Sequence, residues 1–67
     1  HSVAAVHYAD NVLSQSYRRS FHIAGQRLTQ AAEEAPEADL FEYMVDLGTM
    51  QRAAFNRLNS FRQPPTS

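Results

Sequence analysis

The chain has 67 residues, 43% of them hydrophobic, and six arginines against seven acidic residues give it a formal net charge of −1. It contains no cysteine, which excludes a disulfide framework, a thiolate metal site and a cysteine nucleophile. The balanced charge gives no general attraction to nucleic acid or to anionic lipid. A single domain of this size buries only about 60% of the surface that its unfolded chain exposes, so we expect it to need a partner.

Proline and glycine are nearly absent from the first half of the chain, where Gly25 is the only one of either between residues 2 and 35. Apolar residues recur there at steps of three or four, which is the signature of one face of an α-helix. They are Val6, Ala9, Leu13, Tyr17, Phe21, Ala24, Leu28, Ala31 and Ala35. This pattern predicts a first helix over about residues 2–34, with Gly25 as a point of close approach or mild bending.

Pro36 interrupts the helical pattern, because proline lacks an amide hydrogen and clashes with the preceding turn. Six of the seven acidic residues lie around it, between Glu33 and Asp46, and all six arginines lie outside that window. We therefore predict a bend over residues 35–39 with an acidic tip. Pro36 suits the first helical position, and Asp39 followed by Glu42 offers an alternative start of capping-box type.

A second helix is predicted over about residues 39–62, with an apolar stripe in which Gln51 is the central polar residue. The stripe consists of Leu40, Met44, Leu47, Ala54, Phe55, Leu58 and Phe61, flanked by Tyr43 and Met50. Residues 63–67, which contain two prolines, are expected to be a disordered tail. The sequence thus predicts one all-α domain over residues 1–62, an antiparallel helical hairpin whose two stripes form one core.

Several apolar residues fall outside the two main stripes. They are Tyr8, Val12 and Ile23 on the first helix and Phe41 and Val45 on the second. Full burial of such a side chain contributes about 1.5–3 kcal/mol, which a domain this small would lose by leaving them all in water. We predict that these five residues bind a partner, and that two hairpins dimerise into a four-helix bundle. Antiparallel packing would place the acidic tip of one copy near the arginines of the other, although the acidic tip is equally explained by solubility.

Catalytic and metal-binding chemistry find little support. His1, His7 and His22 do not pair with each other or with a carboxylate at the spacing that places two ligands on one helix face. The carboxylates cluster at an exposed tip, whereas acid–base catalysis needs a desolvated group. No phosphate-binding glycine loop or nucleophile elbow occurs. We therefore expect no enzyme, no cofactor, no metal and no small-molecule substrate.

Nucleic acid is the alternative partner. Arg18, Arg19, Arg52 and Arg57 could form a basic strip on the sides of a helical bundle that regulates RNA, a use known for dimeric hairpins. The net charge argues against this, and the preferred interpretation is that these arginines pack over the edge of the core and pair with carboxylates.

No segment approaches the roughly 20 apolar residues that span a bilayer, and no signal or transit peptide is recognisable, so the sequence leaves localisation open and slightly favours the cytoplasm. Two helices joined by a short proline-containing turn resemble small subunits and hairpin chaperones of bacterial secretion apparatus, a resemblance of architecture. The functional expectation is a non-enzymatic protein–protein interaction module: a self-associating adaptor, or a subunit or chaperone of a larger assembly.

Overall fold

The computed structural model describes residues 2–63, which form two α-helices joined by a single 3-10 turn. Helix α1 spans Val3–Glu34, the 3-10 turn spans Glu37–Asp39, and helix α2 spans Leu40–Arg62. Within that range there is no strand, so the predicted all-α, two-helix fold class is confirmed. His1 and residues 64–67 of the predicted tail lie outside the described residues.

Helix α1 begins where its first backbone amides find a side-chain acceptor. Ser2 has an extended backbone, and its hydroxyl oxygen accepts a hydrogen bond from the Ala5 amide at 3.0 Å. Serine at this position satisfies one of the orphan donors of the first turn, so the helix proper begins at Val3.

Proline ends α1 by restricting the residue before it. Ala35 has ψ of 150° and Pro36 has ψ of 140°, and these two extended residues turn the chain back. Contact with the proline ring disfavours the helical region for the residue that precedes proline. Pro36 therefore lies before the 3-10 turn and not at a first helical position. Asp39 does stand at the start of α2, but its side chain makes no capping hydrogen bond, so the predicted capping box does not form.

Two side-chain contacts fix the register of the antiparallel helices. Gln51 Nε2 donates to Ser20 Oγ at 2.9 Å near the middle, and Arg62 Nε donates to Asp10 Oδ1 at 2.8 Å at the open end. The residue numbers in each pair add to 71 or 72, so residues with that sum lie opposite each other along the whole hairpin. The turns of α1 before Asp10 consequently extend past the end of α2.

The core is a narrow seam. Only Ala31, Leu47, Ala54 and Leu58 are buried among the described residues, and no large side chain is fully buried. Other residues of the two predicted stripes are much more exposed than the sequence suggested, namely Val6, Phe21, Met44, Phe55 and Phe61, at 39–50%. One neighbouring helix covers only a limited sector of each cylinder, which is narrower than the apolar stripe that each sequence carries.

The hairpin is a flat, elongated layer. Its Cα atoms extend over 50 × 25 × 8 Å, with a radius of gyration of 15.9 Å. A compact domain of this length has a radius of gyration of about 11 Å. The accessible surface of 5760 Å² likewise exceeds the roughly 4300 Å² expected for a compact monomer of this mass. The layer is one helix thick and has two broad faces.

Candidate interaction surface

One broad face of the hairpin exposes three phenylalanines and has two arginines, Arg18 and Arg52, beside them. It is formed by residues that directly follow core positions in the sequence, because one residue advances an α-helix by about 100°. In two antiparallel helices that face each other, this rotation carries both sets to the same side. We call these residues the apolar face: Phe21, Gly25 and Ala32 on α1, and Phe41, Gly48 and Phe55 on α2.

The opposite broad face is formed by residues that directly precede core positions. It consists of Arg19, Ile23 and Gln30 on α1, and Asp46, Ala53 and Arg57 on α2, and we call it the charged face. Three of its six residues are charged types, whereas the charges on the other side, Arg18 and Arg52, lie beside the six residues named there. The two sides of the same layer therefore differ in the free energy needed to remove them from water.

The apolar face carries aromatic side chains that remain substantially in solvent. Phe21 is 48% exposed and Phe41 is 76% exposed, and the Phe21 ring meets that of Tyr17 edge to face at 4.9 Å between centroids. The Arg52 guanidinium lies 5.5 Å from the centroid of the Phe55 ring, a cation–π contact at the rim. Phe21 and Gly25 also line an open groove of about 1000 Å³ along α1, whose other lining residues are mostly polar or charged, among them Arg18 and Glu33. The exposed aromatic rings are the feature that marks this face as a candidate interaction site.

The five residues predicted to bind a partner do not form one surface. Tyr8, Val12 and Ile23 each directly precede a core-facing position of α1 and lie toward the charged face. Phe41 belongs to the apolar face, and Val45 points away from α1. All five are exposed, at 40–76%, but a single flat partner could not cover them together.

Charges on the hairpin are largely unmatched. Within residues 2–63, the contact between Arg62 and Asp10 is the only ion pair, and its side chains are 43% and 36% exposed. Its hydrogen bonds lower the pKa of Asp10 and raise that of Arg62. The six carboxylates of the tip are all exposed, and in this part of the chain none of them meets an arginine. The remaining arginines likewise have no carboxylate partner there, so the layer has a negative tip and a positive body.

The four arginines proposed as a basic strip are spread around the hairpin. Arg19 and Arg57 lie on the charged face, Arg18 lines the groove beside the apolar face, and Arg52 lies over Phe55. All four are exposed. Two of them therefore face one side of the layer and two the other, which gives no continuous basic strip in a single hairpin.

In the part of the chain that the structure describes, neither a metal-ligand cluster nor a membrane-spanning helix is present. No three histidine or acidic side chains are placed to hold a metal ion, and His1, considered in the sequence analysis, lies outside this part. Neither described helix is long and apolar enough to cross a membrane.

Comparison of this chain with protein-family models, with curated proteins and with solved structures gives no match. The class defined by the geometry is a two-helix hairpin, one side of which exposes Phe21, Phe41 and Phe55.

Sequence reasoning missed the apolar face because it assigned Phe21 and Phe55 to the core and treated the two glycines separately. The sequence nevertheless contains a pattern that could have revealed this face. Phe41, Gly48 and Phe55 recur at intervals of seven, each one residue after Leu40, Leu47 and Ala54. This second heptad line, offset by one residue from the first, is typical of a helix that packs against two neighbours.

Proposed function

We propose that this chain is a non-enzymatic protein–protein interaction module that self-associates, with two hairpins forming a four-helix bundle. The observation that carries the proposal is the imbalance between core and surface. Among residues 2–63, four are buried and no large side chain is fully buried, whereas twelve large hydrophobic side chains are 39–76% exposed. A hairpin this poor in buried surface gains most of its possible apolar burial from a second protein.

The surface area supports a partner of similar size. The accessible surface exceeds that of a compact monomer by roughly 1500 Å², and a standard interface buries about 800 Å² on each partner. Covering one broad face of the layer would therefore remove a large part of the excess. A second copy of the chain is the simplest such partner, since two-fold dimers are the commonest oligomers.

The absence of catalysis is part of the proposal and is supported by the exposure of the acidic residues. Glu33, Glu34, Glu37, Asp39, Glu42 and Asp46 are all exposed. Acid–base catalysis by a carboxylate depends on a site from which water is largely excluded, and water surrounds each of these side chains.

Sedimentation equilibrium over a range from low micromolar to high micromolar concentration tests the proposal. We expect a dimer at the upper end, and a thermal midpoint that falls when the protein is diluted, because dissociation is coupled to loss of structure. A chain that stays monomeric, with a midpoint independent of concentration, would refute self-association and would direct attention to a different helical protein, such as the body of a larger assembly.

An RNA-binding bundle is the second candidate, favoured by one observation. Arg18, Arg19, Arg52 and Arg57 are exposed and have no carboxylate partner among the described residues. Antiparallel dimerisation would bring arginines from two chains together on the sides of the bundle, where phosphates could bind them. The six carboxylates at the tip oppose this, so it ranks second.

A further inference from the structure

We propose that the apolar face is the docking surface for a second copy of this chain, and that the second copy lies antiparallel, with Gly25 and Gly48 of both copies next to the two-fold axis. This inference rests on the self-association proposed above. It adds which of the two faces is covered, the orientation of the copies and the residues that set the register.

The choice of face follows from the cost of removing charge from water. Covering the charged face would bury or crowd Arg19, Asp46 and Arg57, which find no ion-pair partner within the described hairpin. Covering the apolar face removes Phe21, Phe41 and Phe55 from water, and of the two arginines beside it Arg52 lies over the Phe55 ring and Arg18 lines the same groove as the oppositely charged Glu33. Burial of unpaired charge is strongly unfavourable, whereas burial of phenylalanine is favourable.

The position of the axis follows from the two glycines. By the register of the hairpin, the residue opposite Gly48 is residue 23 or 24, so Gly25 and Gly48 lie within one or two residues of the same height. This separation is at most about 3 Å along the helices. An added Cβ would meet nothing within 4 Å at either glycine, so both positions are open. A helix of the second copy can approach closest where the first copy has no side chain.

The orientation follows from the spacing of residues about each glycine. On α2, Phe41 and Phe55 lie seven residues before and after Gly48, so antiparallel packing about Gly48 brings Phe41 of each copy onto Phe55 of the other. On α1, Arg18 lies seven residues before Gly25 and Glu33 lies eight after it, and both line the groove. The same rotation places Arg18 of each copy beside Glu33 of the other. A parallel dimer would instead bring the two acidic tips together.

The choice of docking face is tested with two leucine substitutions, one on each broad face of the layer. Gly48→Leu fills the apolar face and Ala53→Leu, the matched control, adds similar bulk to the charged face; both positions are exposed in the hairpin. We expect Gly48→Leu to weaken dimerisation at least tenfold by sedimentation equilibrium, and Ala53→Leu to change it less than twofold. Circular dichroism of both variants verifies the helix content. A dimer that tolerates both leucines equally would overturn the choice of face while leaving self-association intact.

The orientation is tested by charge reversal. Arg18→Glu alone and Glu33→Arg alone each create two like-charged contacts in an antiparallel dimer, and we expect each to weaken it roughly three- to tenfold, since exposed pairs are individually weak. An equimolar mixture of the two variants should form heterodimers of near wild-type affinity, because both cross-copy pairs are then opposite in charge. Failure of the mixture to recover would overturn the antiparallel register. A spin label at Ala38→Cys gives an independent measurement, with tips about 30 Å or more apart expected and close tips contradicting the proposal.

A wild-type chain that remains monomeric would refute the proposed function itself, and the variants would then have no dimer to weaken. A dimer with an insensitive Gly48 site would refute only the docking face. The two failures are thus separated by the wild-type measurement.

Discussion

Arg62 donates two hydrogen bonds to Asp10, 52 residues away in the sequence, from Nε to Oδ1 at 2.8 Å and from Nη2 to Oδ2 at 3.3 Å. Fork-to-fork geometry of this kind fixes both the distance and the relative rotation of the two helices. It closes the open end of the hairpin, opposite the bend at Pro36. The two helices are therefore held together at both ends of the hairpin, by the chain itself at the bend and by the ion pair at the open end.

Acid should loosen the open end of the hairpin. The hydrogen bonds from Arg62 hold the pKa of Asp10 below its ordinary value, with a smaller contribution from His7. A lowered carboxyl pKa gives stability that is present above the ordinary value near 4 and is lost as the pH falls through the lowered value. We expect Asp10→Asn to lower the thermal midpoint by at most a few degrees at pH 7 and to have no effect at the most acidic pH.

The wild type and Asp10→Asn are compared across the acid range by circular dichroism, at one protein concentration. The two proteins share every other acidic residue, so the effects of those residues cancel in the difference. A difference in midpoint that stays constant down to the lowest pH would show that Asp10 acts by packing and not by charge.

The hydrogen bond between Gln51 and Ser20 should set the register of the two helices more than it stabilises the hairpin. Gln51 Nε2 donates to Ser20 Oγ at 2.9 Å, and Ser20 Oγ donates to the Tyr17 carbonyl at 2.6 Å, so this polar site is satisfied in the seam. We expect a coupling of about 0.5–1.5 kcal/mol from a double-mutant cycle with Ser20→Ala and Gln51→Leu. Urea unfolding of the four proteins measures it, and additive effects would mean that the bond contributes nothing.

The seam depends on its few buried leucines. Leu58 is 8% exposed, and we expect Leu58→Ala to lower the free energy of unfolding by about 2 kcal/mol, the lower end of the range for buried leucine because the layer is thin. Met50, which is 52% exposed, serves as the control, and Met50→Ala should cost less than about 0.5 kcal/mol. Equal losses from the two substitutions in urea unfolding would contradict the location of the core.

Patterns with a single dominant cause were predictable from the sequence. The two helices follow from apolar residues at steps of three and four, and the bend follows from Pro36, which acts on Ala35 by sterics alone. Exposure was harder to predict, because periodicity reports which residues are apolar and not how many helices surround them. Phe21 and Phe55 belong to the apolar stripes of their helices, yet each lies just beyond the sector that a single neighbour covers. The capping role predicted for Asp39 was also wrong. Asp39 is the last residue of the 3-10 turn, and its side chain makes no hydrogen bond to an amide of α2.

Serine substitutions should show which of the five residues predicted from the sequence to bind a partner do so. Phe41→Ser removes an aromatic ring from the apolar face and should weaken association, whereas Val45→Ser, on the outer side of α2, should leave it unchanged. The triple variant Tyr8→Ser, Val12→Ser and Ile23→Ser should also have little effect, because these residues lie toward the charged face. Dimer dissociation constants from sedimentation measure all three. A strong loss in the triple variant with none in Phe41→Ser would assign binding to the charged side.

Nucleic-acid binding would have a distinct salt dependence. Contacts from arginine to phosphate lower log K by roughly 0.9 per neutralised phosphate per tenfold rise in salt for duplex DNA, and by roughly 0.7 for single strands. We expect no gel shift with mixed RNA and DNA at low salt. Tight, salt-sensitive binding that disappears when Arg18 and Arg19 become Ala would establish the RNA-binding alternative.

The 8 Å thickness of the Cα layer also determines how a bound partner would be detected. Amides of α1 and α2 are hydrogen-bonded within their helices, so they exchange only when the helix opens, and a layer with so few buried residues should open at a small free-energy cost. A partner that covers the layer raises that cost. Hydrogen exchange compared between dilute and assembled protein should therefore show which turns of α1 and α2 the partner stabilises.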